Sequence, residues 1–289
     1  MTNFVTRFAP SPTGRLHLGH AFSALTAHNA AKDAGGRFLL RIEDIDRTRC
    51  RPEYEQAIYD DLFWLGLEWE EPVRRQSDHY PEYEAALNTL REKGVVYRCF
   101  KTRKEIADEI ARAPHLTPDG PEGPQYVGDM LTAMEERSLL AKGEPFAWRL
   151  SMQAARKHLG AAFDALTFME EGAGPKGETG RITATPEIFG DAVIARKDLG
   201  TSYHLASVYD DALQGVTHIL RGEDLFPAAH LHRLLQALLD LPELTYRHHR
   251  LLTDENGRRF AKRNNAVTIS FMRKNGVTRE EILARLGFS

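Results

Sequence analysis

Cysteine is scarce in this chain: Cys50 and Cys99 are the only two cysteines among 289 residues. Two thiols cannot build a disulfide framework or a four-thiolate metal site, which excludes the small cross-linked class of secreted domain. The chain also has no apolar run near the roughly 20 residues that a membrane helix needs. It has no basic segment followed by an apolar run as in a signal peptide. We therefore expect a cytoplasmic protein with no membrane partner.

An excess of positive charge is missing as well. Lysine and arginine number 38 against 41 acidic residues, which gives a net charge of −3. That balance excludes a protein that coats nucleic acid non-specifically, although an RNA could still bind through a local basic patch. With 42% hydrophobic and 27% charged residues and no low-complexity tract or internal repeat, the composition is that of a globular protein with one large or two modest domains.

The first hundred residues alternate between predicted strands and helices. Strands are expected over residues 3–9 and 37–44, where β-branched and apolar residues cluster. Helices are expected over 20–34 and 52–65, whose apolar residues recur at helical spacing. This alternation indicates a parallel α/β sheet. Two more elements follow, a helix over 80–93 and a strand over 94–100.

Beyond residue 100 the alternation is interrupted. A charged helix is expected over 103–112, followed by a loop rich in proline, glycine and aspartate over 113–129 and a second glycine-rich loop over 170–180. This stretch has the character of an insertion into the sheet domain. The remaining expected elements are a strand over 216–224, a helix over 225–239, a short strand over 248–254 and two short helices over 270–275 and 278–286.

The segment RFAPSPTGRLHLGH at 7–20 joins the first predicted strand to the first predicted helix. A helix that begins here directs free backbone N–H groups and the positive end of its dipole at the loop, which suits an anion. His17 and His20 are three residues apart and can donate to one phosphate group, and Gly19 lets a planar ligand approach the backbone. The alternative is a rigid turn with a helix-capping histidine, which glycine and proline alone would favour.

The tetrapeptide HLGH at 17–20 resembles the HIGH signature of class I aminoacyl-tRNA synthetases, and the longer segment is close to the form found in their glutamyl and glutaminyl branch. The resemblance implies an α/β fold, a Rossmann-type parallel-sheet nucleotide-binding domain with an α+β insertion and a short helical C-terminal segment. It also implies that His17 and His20 stabilise the phosphates of ATP, while Gly19 leaves room for the adenine. The implied boundaries are residues 1–100 and 189–245 for the two halves of the Rossmann domain, 101–188 for an acceptor-binding-like insertion, and 246–289 for a terminal segment.

The segment DENGRRFAKRNNAV at 254–267 is basic and poor in apolar residues. By composition alone it is a solvated loop. By resemblance, RFAKR occupies the place of the family's KMSKS-type loop, and Lys262 matches the lysine that meets the phosphates of ATP. Ala261 and Phe260 replace the serine and the leucine or methionine that are usual there. Magnesium is expected to enter together with ATP.

Charged residues near the ends of two predicted strands carry the resemblance to the glutamyl branch. The stretch RIEDIDRTR places Glu43 as the acceptor for the α-ammonium group of glutamate, where an ionised carboxylate gives a charge-assisted bond. The stretch SYHLASVYDDALQGVTHILRGEDL places Tyr203 and Arg221, with Arg7, at the side-chain carboxylate. Because a planar guanidinium pairs with a carboxylate through two parallel bonds, this set favours glutamate over glutamine. The full expected glutamate site is Arg7, Ala9, Ser11, Glu43, Tyr203 and Arg221.

Two further groups of charged residues have more than one interpretation. Glu223 and Asp224 either order the site or cap the helix expected at residue 225. The basic residues of VRRQ at 73–76 and those of 258–263 are candidates for steering an RNA towards the site. Otherwise they are ordinary solvated surface charges.

Members of the resembled family often hold zinc with a Cys-x-Cys pair and a later Tyr-x-x-x-Cys. Cys99 and Tyr126 match two of those ligands, but Lys101 and Met130 occupy the positions of the other two thiolates. One thiolate and one phenol cannot make a tetrahedral zinc site. We therefore expect no zinc and no other metal ligands in the protein itself.

Together these motifs imply an aminoacyl-tRNA synthetase-like ligase. Discriminating glutamyl-tRNA synthetases continue past the KMSKS-type loop into helical anticodon-binding domains, and we expect none here because the sequence ends soon after Arg263. A catalytic core alone resembles the members that activate L-glutamate with ATP in the absence of tRNA. Those members then transfer glutamate to queuosine in the anticodon loop of tRNA(Asp). We expect these three substrates and a monomeric protein.

Three alternatives remain at this point. One is a glutamyl-tRNA synthetase activity that works with a separate anticodon module. Another is a non-catalytic paralogue that binds tRNA or a nucleotide, against which the retained His17, His20, Glu43, Arg221 and Lys262 argue. The third is a nucleotidyltransferase of the same superfamily that acts on a small cofactor, against which the glutamate-site residues argue.

Overall fold

The structure is a computed structural model, and it describes residues 3–112, 118–252 and 267–288. Within these ranges the strands, in chain order, are β1 (Val5–Phe8), β2 (Arg37–Ile42), β3 (Glu70–Arg75), β4 (Val96–Cys99), β5 (Asp119–Gly120), β6 (Gly123–Pro124), β7 (Ala147–Leu150), β8 (Thr167–Glu170), β9 (Gly180–Thr183), β10 (Val193–Ala195), β11 (His218–Gly222) and β12 (Thr245–His249).

The helices of the same ranges are α1 (Leu18–Asp33), α2 (Pro52–Trp64), α3 (Tyr80–Glu92), α4 (Arg103–Arg112), α5 (Ala133–Ala141), α6 (Met152–Leu159), α7 (Ala161–Asp164), α8 (Tyr203–Leu213), α9 (Phe226–Leu238), α10 (Ile269–Lys274) and α11 (Arg279–Leu286). None of these helices combines the length and the apolar character needed to cross a membrane.

Parallel strands form the centre of the fold. In one sheet β2 lies between β1 and β3, and all three are parallel. In a second sheet β12 lies between β11 and β8 in parallel, and β9 is added antiparallel at the edge. The two sheets adjoin at β1 and β11, where the Thr217 amide donates to the Val5 carbonyl at 2.9 Å. The predicted α/β architecture is therefore confirmed, and the carboxyl ends of β1, β2, β11 and β12 meet at one edge.

The core lies on both faces of this sheet because successive residues of a strand point to opposite sides. Phe38, Leu40 and Ile42 of β2 belong to a cluster with α1, α2, α10 and α11, whereas Leu39 belongs to one with α3, α8 and α9. A strand buried on both faces has few polar positions, which explains why the run RFLLRI could be recognised from its sequence.

Between the two halves of the sheet the chain forms a separate antiparallel layer. Strand β7 pairs with β4 on one side and with β10 on the other. The side chain of Asp191 ties this layer together, accepting from the Tyr97 hydroxyl at 2.9 Å and from the Gly128 and Met152 amides at 3.0 Å. Strands β8 and β9 lie within the range assigned above to the insertion, and β8 pairs with β12 of the parallel sheet.

Most predicted elements of the parallel sheet are confirmed, and two differ. The strand expected over 248–254 lies at Thr245–His249, where Tyr246 and His248 alternate as buried residues, so the apolar pair of Leu251 and Leu252 was misleading. Strand β3 was not expected at all. Its sequence, EEPVRR, is charged and largely exposed because it lies at the sheet edge, so it has no apolar pattern.

Candidate active site

A cavity of about 540 Å³ opens at the carboxyl edge of the parallel sheet, between the loop after β1, the start of α1 and the end of β11. The structure brings together every expected site residue that it describes. The nine that line this cavity are Arg7, Ala9, Ser11, His17, Gly19, His20, Glu43, Tyr203 and Arg221. Lys262, the expected phosphate-binding lysine, lies outside the described residues, as does the segment around it.

His17 and His20 form the N-terminal cap of α1. The Nδ1 atom of His17 accepts from the Gly19 amide at 3.1 Å, and the His17 amide donates to Nδ1 of His20 at 3.3 Å. The planes of the two rings are tilted by 31° to each other, and their centroids lie 3.8 Å apart. The capping histidine considered above is thus present, and it explains why the helix begins at Leu18 and not at residue 20.

The cap also decides which ring nitrogen carries the proton. Because Nδ1 accepts a hydrogen bond in both His17 and His20, the proton of each neutral imidazole belongs on Nε2, which is then a donor. The first turn of α1 contains no acidic residue, so its positive end is not neutralised there. Capping and anion binding are therefore compatible in one pair of histidines.

Gly19 has a structural reason to be glycine. A Cβ atom at this position would lie 3.1 Å from Cε1 and 3.2 Å from Nδ1 of His17. The missing side chain therefore gives the His17 ring the space in which it caps the helix. This is a second reason besides the approach of a planar ligand that the sequence suggested.

Arg221 lies near the end of β11 and is only 5% exposed. Its Nε donates to Nε2 of His248 at 3.0 Å, and its guanidinium carbon lies 5.2 Å from the centre of the Tyr246 ring. Neither Nη1 nor Nη2 has a hydrogen-bond partner among the residues that the structure describes, although both atoms are buried. Unsatisfied buried donors are costly, so these two atoms point to an anionic ligand that presents two coplanar oxygens.

Arg7 is held by a buried carboxylate that the sequence motifs did not include. Its Nε and Nη2 atoms donate to the two oxygens of Asp211 at 2.9 and 3.4 Å, and Arg41 donates to the same carboxylate at 2.7 Å. Burial alone would raise the pKa of Asp211, but the charges of Arg41 and Arg7 lower it. Two adjacent aspartates in an otherwise apolar helix were the signal in the sequence.

Glu43 follows β2 and is 8% exposed. One of its oxygens accepts from Arg41 Nη2 at 3.1 Å and from the Ser207 hydroxyl at 3.0 Å. Burial raises the pKa of Glu43, and the nearby Arg41 and Arg7 oppose this rise without cancelling it. A bound ammonium group would shift the balance towards the ionised form.

Tyr203 is the first residue of α8, and Ser202 caps that helix. Burial raises the pKa of the Tyr203 phenol, although the charge of Arg221 opposes the rise, so the hydroxyl remains a neutral donor. The side chain lines the cavity beside Arg7 and Arg221. Two cations, a hydroxyl and the carboxylate of Glu43 therefore line one cavity.

A second cavity, of about 900 Å³, adjoins the first one and shares Ser11, Glu43 and Tyr203 with it. It lies between the parallel sheet and the antiparallel layer. Besides the acidic residues Asp46, Glu122, Asp191 and Asp198, its lining contains aromatic and basic side chains, which suit a ligand with planar rings and negative charge. These side chains are Phe100, Tyr126, Phe146, Arg49, Lys101, Arg149, Arg196 and Lys197.

The two residues that matched zinc ligands pack together. Cys99 and Tyr126 are buried in one small cluster with Ile106. Lys101 lies 5.7 Å from the centre of the Tyr126 ring, and the side chain of Met130 is exposed. In residues 3–112, 118–252 and 267–288 no three histidine, cysteine or acidic side chains are grouped so that they could hold a metal ion. The expected absence of zinc remains a prediction.

The remaining charged candidates are placed as follows. Glu223 accepts from the Leu251 amide at 3.2 Å, and neither Glu223 nor Asp224 caps α9, whose N-terminus has no side-chain cap. Asp224 lines the first cavity. In VRRQ, Arg74 donates to Asp210 at 2.7 Å and to Glu82 at 2.5 Å, so its guanidinium stabilises the fold.

Comparisons with known proteins identify the family of the chain. The family described as tRNA synthetases class I (E and Q), catalytic domain, matches residues 3–289. The chain is 46% identical over 284 residues to a glutamyl-Q tRNA(Asp) synthetase of Rhodobacter capsulatus, covering 98% of this chain and 99% of that protein. It is 35% identical over 299 residues to a glutamate–tRNA ligase of Aquifex aeolicus, covering 100% of this chain and 58% of that protein.

A solved structure has the same fold. It is a glutamate tRNA ligase from Elizabethkingia meningosepticum in complex with its amino acid, with a TM-score of 0.74 and 26% sequence identity. The match covers 95% of this chain and 53% of that one, so the chain spans about half the length of the solved ligase.

Proposed function

Since the chain belongs to the class I tRNA synthetase (E and Q) catalytic-domain family, we propose that it activates L-glutamate with ATP in the absence of tRNA and transfers the glutamate to queuosine in the anticodon loop of tRNA(Asp). The family makes it an aminoacyl-tRNA synthetase-like ligase, a class that forms an aminoacyl adenylate from ATP. The finer statements, namely the amino acid, the acceptor and the residues that bind them, are argued below.

The observation that carries the proposal is the buried guanidinium of Arg221, with Nη1 and Nη2 unpartnered among the described residues. A substrate carboxylate would accept from both atoms in a bidentate pair. Tyr203 and Arg7 line the same cavity, and Glu43 provides a negative group for an α-ammonium. An amide side chain could satisfy this cationic end only in part, since it offers one oxygen and adds two donors. The arrangement therefore supports glutamate over glutamine.

ATP would bind with its phosphates at the start of α1. There the Nε2–H groups of His17 and His20 would donate to phosphate oxygens beside the positive end of the helix, and Lys262 would approach the same phosphates. An α-carboxylate oxygen of glutamate attacks the α-phosphorus, and the bond to the pyrophosphate oxygen breaks. Magnesium bound to ATP would supply positive charge for the departing pyrophosphate. Positioning and charge stabilisation suffice for this step, so no protein nucleophile is needed.

The second cavity supports the transfer step, because it shares Ser11, Glu43 and Tyr203 with the glutamate cavity. A queuosine hydroxyl attacks the glutamyl carbonyl carbon, and the bond to the adenylate phosphate breaks. The proton of the hydroxyl passes to the departing AMP phosphate. What favours queuosine as the acceptor is that the 46% identical relative is a glutamyl-Q tRNA(Asp) synthetase.

A glutamyl-tRNA synthetase activity is the second candidate. The observation in its favour is the 35% identical glutamate–tRNA ligase, of which the chain covers 58%. The two candidates differ in the acceptor, since one esterifies a modified base of tRNA(Asp) and the other the 3′ end of tRNA(Glu).

The test is glutamate-dependent exchange of pyrophosphate into ATP without tRNA, followed by transfer of labelled glutamate to tRNA. We expect exchange with glutamate and not with glutamine, and transfer only to tRNA(Asp) that contains queuosine. Exchange that requires tRNA, or charging of tRNA(Glu), would favour the second candidate. The absence of both reactions under all of these conditions would point to a non-catalytic binding protein.

A further inference from the structure

Glu170 and His248 form a buried pair that belongs to none of the motifs above. Glu170 ends β8, His248 lies on the neighbouring strand β12, and both side chains are fully buried. One carboxylate oxygen of Glu170 lies 2.5 Å from Nδ1 of His248. The other accepts from the His248 amide at 2.9 Å and from the Gly172 amide at 2.8 Å. The carboxylate is thus surrounded by three donors.

These bonds determine the tautomer of His248. Burial would raise the pKa of Glu170, but the hydrogen bonds from the ring and amide of His248 lower it, so the carboxylate is ionised and accepts. Burial lowers the pKa of His248 to about 4, so the ring is neutral. Its single proton must then lie on Nδ1, facing Glu170. Nε2 is left as an acceptor, and it accepts from Arg221 Nε at 3.0 Å.

The contact with His248 restricts which nitrogens of the Arg221 guanidinium can bind a ligand. Since His248 occupies Nε, a carboxylate ligand can form a bidentate pair only with Nη1 and Nη2, the two atoms that have no partner in the described part of the chain. We propose that Glu170 and His248 are positioning residues that orient Arg221 for the side-chain carboxylate of the substrate and so set the preference for glutamate over glutamine. This inference rests on the proposed function.

The glycine-rich loop that follows β8 is built around this pair. A Cβ atom at Gly172 would lie 2.2 Å from the His248 carbonyl oxygen and 2.9 Å from the Glu170 carboxylate. Only glycine allows the backbone to approach closely enough for the Gly172 amide to donate to Glu170. The sequence motifs gave the loop at 170–180 no role, and these contacts indicate that it helps to hold Glu170 in place.

The experiment compares E170Q with E171Q in the exchange assay without tRNA. Glu171 undergoes the same chemical change one residue away, but it is an exposed partner of Arg247 at 2.7 Å. A glutamine at position 170 would donate to Nδ1 of His248 and move the ring proton to Nε2, where it opposes Arg221 Nε–H. We expect the KM for glutamate to rise at least about tenfold in E170Q, the effect of losing a hydrogen bond to a charged group.

We further expect kcat and the KM for ATP to stay within about twofold, and the ratio of glutamate to glutamine efficiencies to fall. If Glu170 only stabilised the fold, E170Q would change the KM for glutamate and the KM for ATP to the same extent. Exchange by wild type and E171Q tests the proposed activation of glutamate independently of E170Q. An unchanged KM for glutamate in E170Q, or an equal change in the KM for ATP, would overturn the positioning role alone.

A second comparison covers the case in which E170Q does not fold. In H248Q the amide oxygen can take the place of Nε2 and accept from Arg221, whereas H248L offers no acceptor. We expect H248Q to bind glutamate more tightly than H248L, as measured by calorimetry on the intact protein. Equal affinities in the two variants, with melting temperatures alike, would contradict the proposal.

Discussion

Arg7 Nε and Asp211 Oδ1 are 2.9 Å apart, and both side chains are almost completely buried. Arg41 contacts the same oxygen at 2.7 Å, so two guanidinium groups share one carboxylate. Arg41 in turn donates to Glu43 at 3.1 Å, so Arg7, Asp211, Arg41 and Glu43 form one connected set of charged side chains. The charged side chains of Arg7 and Glu43, which line the cavity, are thus held by a buried network and not by solvent.

Removing the charge of Asp211 should destabilise the protein. In D211N the buried Arg7 loses the carboxylate that it contacts and Arg41 keeps only Glu43 and Asp210 among the described carboxylates, so we expect a loss of about 3–5 kcal/mol in the free energy of unfolding. Urea denaturation followed by circular dichroism measures it. The control is D198N, which removes an exposed partner of Arg196 and should cost less than about 1 kcal/mol. Equal losses in the two variants would contradict the network.

Shortening Arg221 should weaken glutamate binding selectively. In R221L the substrate carboxylate loses its bidentate partner, so we expect the KM for glutamate to rise by about 30-fold or more, with little change in the KM for ATP. Both constants come from the pyrophosphate exchange assay. R247L is the matched control, because Arg247 is an exposed residue of the neighbouring strand. If both KM values rise equally, Arg221 does not contact the amino acid.

The pH dependence of glutamate binding should report on Glu43. Burial raises the pKa of this carboxyl above its ordinary value of 4.5 in the absence of a ligand, and a bound α-ammonium favours the ionised form. Protonation therefore competes with binding, so the Kd for glutamate should rise as the pH falls through the raised pKa and level off above it. Calorimetric titrations between neutral and mildly acidic pH measure this change.

E43Q provides the control for that titration. It should bind glutamate weakly at neutral pH, since the amide cannot neutralise an ammonium group, and most of the acid-dependent loss should disappear. Any rise in Kd at acidic pH that remains in E43Q comes from protonation of the substrate's own carboxylates. A wild-type Kd that is constant over the acidic range would show that Glu43 does not receive the ammonium group.

The purified protein should carry no stoichiometric zinc. Cys99 and Tyr126 pack against Ile106, and Lys101 and Met130 supply no thiolate, so a tetrahedral ligand set is lacking. Elemental analysis of protein purified without chelator tests this expectation. A content of about one zinc ion per chain would contradict it.

The parallel sheet could be predicted from the sequence, whereas the contacts that complete the site could not. Strand β2 is apolar on both faces, and the start of α1 lies within a recognisable motif, so both were found from local patterns. Asp211 and Glu170 act on residues that are distant in the sequence, as in the Arg7 to Asp211 bond across 204 positions. A local pattern contains no information about such a partner, because either aspartate of α8 could have faced solvent.

His17 should act both in folding and in binding ATP, and two variants separate these roles. H17N keeps a side-chain oxygen that can cap α1 but loses the Nε2–H donor, so stability should be unchanged while kcat/KM for ATP falls on the order of 100-fold. H17A loses the cap as well, so its free energy of unfolding should fall by about 1 kcal/mol. Melting temperatures and exchange kinetics of both variants provide the measurements. Full activity of H17N would confine His17 to capping, which is the interpretation that glycine and proline alone suggested for this loop.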